Sequence, residues 1–150
     1  MMQFAIQLAV SFVATIAFAI LFHAPRKEYL YCGATGAAGW AFYLVAMHYQ
    51  PSPVVASLVA VLVLAVMARI FAVIRRCPST IFLVCGIFPL VPGAGIYYTA
   101  YHFIMGENEL CAAKGVETIK IAVVIALGIV FVLSLPCGMF NIFAKKTKNN

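Results

Sequence analysis

Phe88-Pro89-Leu90-Val91-Pro92-Gly93-Ala94-Gly95 interrupts, near its middle, an apolar segment of membrane length that runs from about residue 79 to 105. Each proline removes a backbone donor and crowds the carbonyl four residues back. A continuous helix would therefore leave the C=O of Cys85 and of Phe88 without partners. A freed carbonyl costs several kcal/mol in hydrocarbon, so irregular backbone persists at that depth only inside protein or beside a water-filled cavity. Two readings compete. One is a kinked packing helix, since Gly and Pro are commoner in membrane helices than in soluble ones. The other is a substrate site of the kind that discontinuous helices build at the bilayer midplane. Two prolines and two glycines within seven residues exceed what a simple kink requires.

Working outward, the composition defines the class. The chain is 65% hydrophobic and 9% charged, contains no aspartate, and has a mean hydropathy of +1.07. A soluble domain carries about 25% charged residues. Apolar runs fall at about residues 3–22, 29–48, 52–74, 79–105 and 117–143. Each is long enough to cross a core of about 30 Å. The expected fold is all-α: one polytopic membrane domain over residues 1–150 with five helices, the fourth broken at Pro89–Gly95. The first run lacks a basic n-region and is longer than a signal-peptide core, so it reads as a retained helix.

Eight basic residues fall on one side of a five-crossing chain: Arg26, Lys27, Arg69, Arg75, Arg76, Lys145, Lys146 and Lys148. Only Lys114 and Lys120 fall on the other, interspersed with Glu107, Glu109 and Glu117. This bias predicts an outside N-terminus and a cytoplasmic C-terminus in a plasma (inner) membrane. The net charge of +6 is thus mainly a topology signal. Nucleic-acid binding would need a soluble basic face that the chain does not offer.

The helices differ in what they can do. The second begins with Cys32-Gly33-Ala34-Thr35-Gly36-Ala37-Ala38-Gly39, whose small-xxx-small pairs predict close helix packing. The third is nearly all Val, Leu and Ala, with Arg69 near its inner end, placed either to snorkel to water or to serve a gate. Ser134-Leu135-Pro136-Cys137-Gly138 reads as a kink and cap in the last helix.

In the fourth segment, the half before the break is about 15 Å long and the half after it about 18 Å, which puts the break near the midplane. The second half presents the N–H groups of Gly93, Ala94 and Gly95 at its N-terminus, a setting that suits a carboxylate. The carbonyls of Cys85 and Phe88 would accept from an ammonium, a hydroxyl or a hydrated cation, and small Gly93 and Gly95 would let a ligand reach the backbone. Tyr97, Tyr98, Tyr101 and His102 share one arc of the second half, either lining an outward path or forming an interfacial aromatic belt. The expected substrate-binding residues are therefore Cys85, Phe88, Pro89, Pro92, Gly93, Ala94, Gly95, Tyr97 and Tyr98.

Enzymatic and cofactor chemistry find no foothold. The five cysteines, Cys32, Cys77, Cys85, Cys111 and Cys137, form no C-x-x-C pair. There is no H-E-x-x-H, P-loop or dinucleotide fingerprint, and His23, His48 and His102 lie far apart. No catalytic residues, metal or cofactor are expected.

Pro78-x-x-Ile81-Phe82, then Phe88-Pro89-Leu90-Val91-Pro92-Gly93, then Tyr97, resembles the small, five-helix subunit of the bacterial threonine/serine exporter family. The resemblance covers essentially the whole chain. It implies half of an exporter for small carboxylate metabolites, either threonine and serine or a dicarboxylate such as succinate. It also implies a larger membrane partner with a cytosolic N-terminal domain and five more helices. An odd helix count makes two such halves insert with opposite orientations, as inverted repeats require. Two other readings stay open: a non-transporting scaffold or assembly partner, and a channel formed by a homo-oligomer of this chain.

The charge asymmetry yields a direct test. On a background without native cysteines, a cysteine placed within residues 106–116 should react with a membrane-impermeant reagent outside intact cells. Cysteines within residues 75–77 or 145–150 should react only after permeabilisation. External labelling of the C-terminus would reverse the orientation.

Overall fold

Helices in a bilayer gain nothing by hiding apolar surface from lipid, so they associate where small residues let backbones approach. The computed structural model describes residues 2–135, and its order follows that rule. The helices are α1 (Met2–Leu21), α2 (Tyr29–Tyr49), α3 (Pro53–Arg75), α4 (Ser79–Ile87), α5 (Gly93–Ile104) and α6 (Asn108–Ser134). Short 3-10 turns at Arg26–Glu28 and Phe88–Leu90 join α1 to α2 and continue α4. Pro136, Cys137, Lys145, Lys146, Lys148 and the expected helix end near residue 143 lie outside the described residues.

The glycines of α2 set the packing distances. A Cβ on Gly33 would sit 2.8 Å from the Phe12 ring, and one on Gly36 only 2.0 Å from Thr15 Oγ1, so α1 lies directly on the α2 backbone. Ser11 reinforces this contact by donating to the Gly36 carbonyl at 3.3 Å. On the other side of α2, Gly39 meets Leu64 of α3, and Gly86 of α4 meets Thr35, Leu64 and the Gly36 backbone. The fully buried core is correspondingly built of Ala56, Ala60, Val61, Leu64, Ala65 and Ala68 from α3, with Cys32 and Phe82.

Four helices are individually long and apolar enough to cross a membrane: α1, α2 with its preceding turn, α3 and α6. The fifth crossing is the pair Ser79–Leu90 and Gly93–Ile104, bent by 44°. Packing shows that this pair traverses the bundle instead of turning back. Gly128 of α6 rests on Val61 and Leu58 near the start of α3, and the Arg69 guanidinium near the end of α3 donates to the Leu133 carbonyl near the end of α6. α3 and α6 are therefore parallel. The chain between them must return from the end of α3 to the start of α6, which takes one full crossing.

Three details differ from the sequence expectation. Residues 106–116 are not a loop, because α6 begins at Asn108. At 1.5 Å per residue its 27 residues span about 40 Å, so the polar first turns stand beyond a core of about 30 Å. Helical hydrogen bonding continues there without apolar side chains, and Gly106, with φ of +75°, makes the tight turn from α5. The break also lies off centre. Gly86 packs against Leu64 at the middle of α3, so residues 89–95 fall about one to two and a half turns further toward the end where α3 and α6 begin, where Gly95 meets Thr118. Finally, Arg69 is buried, at 8% exposure, and does not snorkel. It donates to the Leu133 carbonyl in the last turn of α6, where a cation is favoured by the helix dipole.

An ion pair ties the basic connections together. Arg75 Nε donates to Glu28 Oε2 and Arg75 Nη2 to Oε1, both at 2.9 Å, and the guanidinium lies 4.8 Å from the Tyr31 ring centre. The α1–α2 connection and the end of α3 thus share one end of the bundle. Glu28 is buried, so removing Arg75 would strand a carboxylate, which is costlier than losing an exposed pair.

Gly36 is the most sensitive packing position. Gly36→Ala should destabilise the purified protein by about 1–3 kcal/mol, the usual cost of overpacking. Thr15→Ala in the same chain should recover part of the loss. Thermal unfolding in detergent would check both, and an unchanged midpoint for Gly36→Ala would refute the close α1–α2 seam.

Candidate functional site

The chain leaves helical geometry at Phe88 in a way that satisfies part of the backbone. Phe88–Leu90 form a 3-10 turn, and the Val91 N–H donates to the Phe88 carbonyl at 3.2 Å. The Gly93 N–H in turn donates to the Val91 carbonyl at 2.7 Å. The Gly93 N–H, expected to be open, is thus engaged within the turn, and the Phe88 C=O already accepts one bond and keeps its second lone pair. The tighter turn supplies the bonds that Pro89 and Pro92 deny to an α-helix. α5 then starts without a side-chain cap. Among the described residues no backbone carbonyl takes the N–H of Ala94 or Gly95. Those two donors are what the break leaves open, at the positive end of the α5 dipole.

Beside them lies a cavity of about 330 Å³, within the range usual for small-molecule sites. One wall is the break itself, from Pro89 to Gly95, with Tyr98 one turn further on. Trp40 and Tyr43 of α2 and Ser57 of α3 form a second wall, and Lys114, Glu117, Thr118 and Ile121 of α6 close the third. Lys114 Nζ and Glu117 Oε2 are 3.0 Å apart, both side chains partly exposed. The titratable groups facing the cavity are thus Lys114, Glu117, Tyr43 and Tyr98.

The nine expected site residues divide. Pro89, Pro92, Gly93, Ala94, Gly95 and Tyr98 line this cavity together. Cys85, Phe88 and Tyr97 do not. Cys85 is buried in the core beside α2. Phe88 points to α1, stacking on Phe18 at 4.1 Å and lying 5.3 Å from Phe22. It lines a separate, apolar groove of about 310 Å³ with Val10, Phe18, Trp40 and Pro89. Trp40 and Pro89 border both spaces, so they form the partition between them. Tyr97 is exposed, edge-on to Tyr98 at 5.4 Å and stacked on Tyr101 at 6.4 Å. His102 Nδ1 lies 2.5 Å from Glu107 Oε2 at the end of this aromatic run.

Sequence reasoning missed Trp40, Tyr43, Ser57, Lys114, Glu117 and Thr118. A signal did exist for α6, since positions 114, 117, 118 and 121 recur at helical spacing and share one face. Hydropathy alone does not show it, because the apolar run starts only at residue 117 while α6 starts at Asn108.

These features define a polytopic α-helical membrane protein organised around one interrupted crossing. The chain matches the family model described as Threonine/Serine exporter, ThrE, over residues 7–135. It belongs to that family, whose members are transporters. No curated protein and no solved structure matches the chain.

The two glycines of the break have different duties. A Cβ on Gly93 would meet nothing within 4 Å, whereas one on Gly95 would sit 2.3 Å from Thr118 Oγ1. Gly93→Ala should leave the unfolding midpoint nearly unchanged, while Gly95→Ala should lower it, with partial rescue by Thr118→Ala. Equal destabilisation by both glycine variants would contradict this division.

Proposed function

We propose that this chain is one subunit of a secondary transporter that exports small carboxylate metabolites across a bacterial inner membrane. Its N-terminus lies outside and its C-terminus in the cytoplasm. Membership in the threonine/serine exporter family favours an amino acid, and a succinate-type dicarboxylate shares the same carboxylate chemistry. The observation that carries the reading is the cavity at the break, a ligand-sized space lined by Ala94 and Gly95, whose N–H groups no backbone carbonyl takes.

In this mechanism a substrate carboxylate accepts from the Ala94 and Gly95 N–H groups at the positive end of α5. Gly93 leaves room for it, because no side chain stands between the ligand and the backbone. Tyr98 flanks the way along α5. The larger partner, with a cytosolic N-terminal domain and five helices, supplies the other half of the pathway. The bent crossing is the element that repositions between inward and outward access.

The test is export from the native cell, with the chain deleted and then restored as wild type or variant. Labelled serine, threonine and succinate efflux is measured and normalised to the membrane level of each protein. Deletion should abolish efflux of at least one of them. Replacing both Pro89 and Pro92 by alanine should let the helix close, giving a protein at least as stable whose export falls about tenfold or more. Wild-type export by that variant would make the break a packing kink and move the site elsewhere. Unchanged efflux after deletion would favour the scaffold reading.

A further inference from the structure

Lys114 and Glu117 present opposite charges to one small cavity whose remaining wall is largely Trp40, Pro89, Leu90, Val91 and Ile121. An ion pair at i,i+3 on a helix is ordinarily a solvated surface feature of small energetic worth. Here its position gives it a second use. The pair stands on the α6 turn that meets the break, next to Thr118, which touches Gly95. With the cavity empty the two charges neutralise each other at 3.0 Å. A ligand that enters between them replaces both halves of that interaction or leaves one of the two partly exposed charges without its partner.

We infer that Lys114 and Glu117 form the charge-recognition element of the cavity and select a zwitterion, with Glu117 accepting from the ligand's ammonium while Lys114 reinforces the hold on its carboxylate. This rests on the transporter reading above and deepens it. A zwitterion placed between the two groups matches each with its opposite and leaves the net charge of the cavity at zero. A dicarboxylate satisfies Lys114 but sets a second negative charge beside Glu117, where like charges repel. A monocarboxylate without an ammonium satisfies Lys114 and removes the partner of Glu117 without replacing it. The expected order is serine above lactate above succinate.

Trp40 is the only tryptophan of the chain and borders the cavity, so it is the reporter. The complex is purified through a tag on this chain from its native membrane, so that any bound subunit comes with it. L-serine, L-lactate and succinate are titrated in turn. The signal is the fluorescence difference between this material and the same preparation carrying Trp40→Phe. Glu117→Gln should weaken serine binding about tenfold and lactate binding less than twofold, because only serine offers an ammonium. Lys114→Met should weaken both. A structural role for Glu117 would weaken serine and lactate alike, and that result overturns the inference, as does a serine affinity indifferent to Glu117→Gln or a wild-type preference for succinate. Each of these leaves the export reading standing. A saturable response to none of the three ligands removes the cavity as the site and overturns both readings.

Discussion

In hydrocarbon every backbone N–H and C=O needs a partner within the protein, and the organisation of this chain follows from how it meets that demand. Among the described residues, four of the five crossings meet it with one uninterrupted helix each. The stretch from Phe88 to Gly95 does not, because Pro89 and Pro92 supply no donors. A 3-10 turn recovers the Phe88 and Val91 carbonyls through the N–H groups of Val91 and Gly93. What the local turn does not recover is the N–H of Ala94 and Gly95, and both residues border a largely apolar space into which Lys114, Glu117 and Thr118 bring a few polar groups.

The same constraint explains the composition of the helix seams. Lipid gives no reward for burying leucine against leucine, so adhesion comes from close approach and from short polar links across it. Gly33, Gly36 and Gly39 bring α1 and α3 onto the α2 backbone, and the Ser11 hydroxyl reaches the Gly36 carbonyl across that contact. This tight part of the bundle ends at the level of Gly86. Beyond it the crossing bends, α5 keeps only α6 as a close neighbour, and the cavity opens.

The charged residues of α6 mark its two ends with different chemistry. Near its last turn the Arg69 guanidinium, carried by α3, donates to the Leu133 carbonyl and links the parallel pair. Near its first turns Lys114 and Glu117 pair with each other and face the break. Among the described residues, Arg69 is bound to backbone, whereas Lys114 and Glu117 pair with each other.

Much of this was legible in the residues alone. Apolar runs of membrane length dictate crossings because the bilayer thickness fixes helix length. Pro89 and Pro92 dictate a break because the missing donors are a covalent fact. The short connections and the uneven basic residues bound the topology for similarly local reasons. Neighbours are not encoded so directly. Hydropathy ended the last helix at Glu117 because polar residues begin there, yet backbone bonding carries it back to Asn108. Cys85 and Phe88 sit beside the break in sequence, but packing turns one into the core and the other onto Phe18. Lys114, Glu117 and Trp40 reach the cavity only because α2 and α6 converge on α5's first turn. Local chemistry determined that the chain crosses, and where it must break. Tertiary packing decided which side chains face the break, because that depends on contacts between residues far apart in the chain.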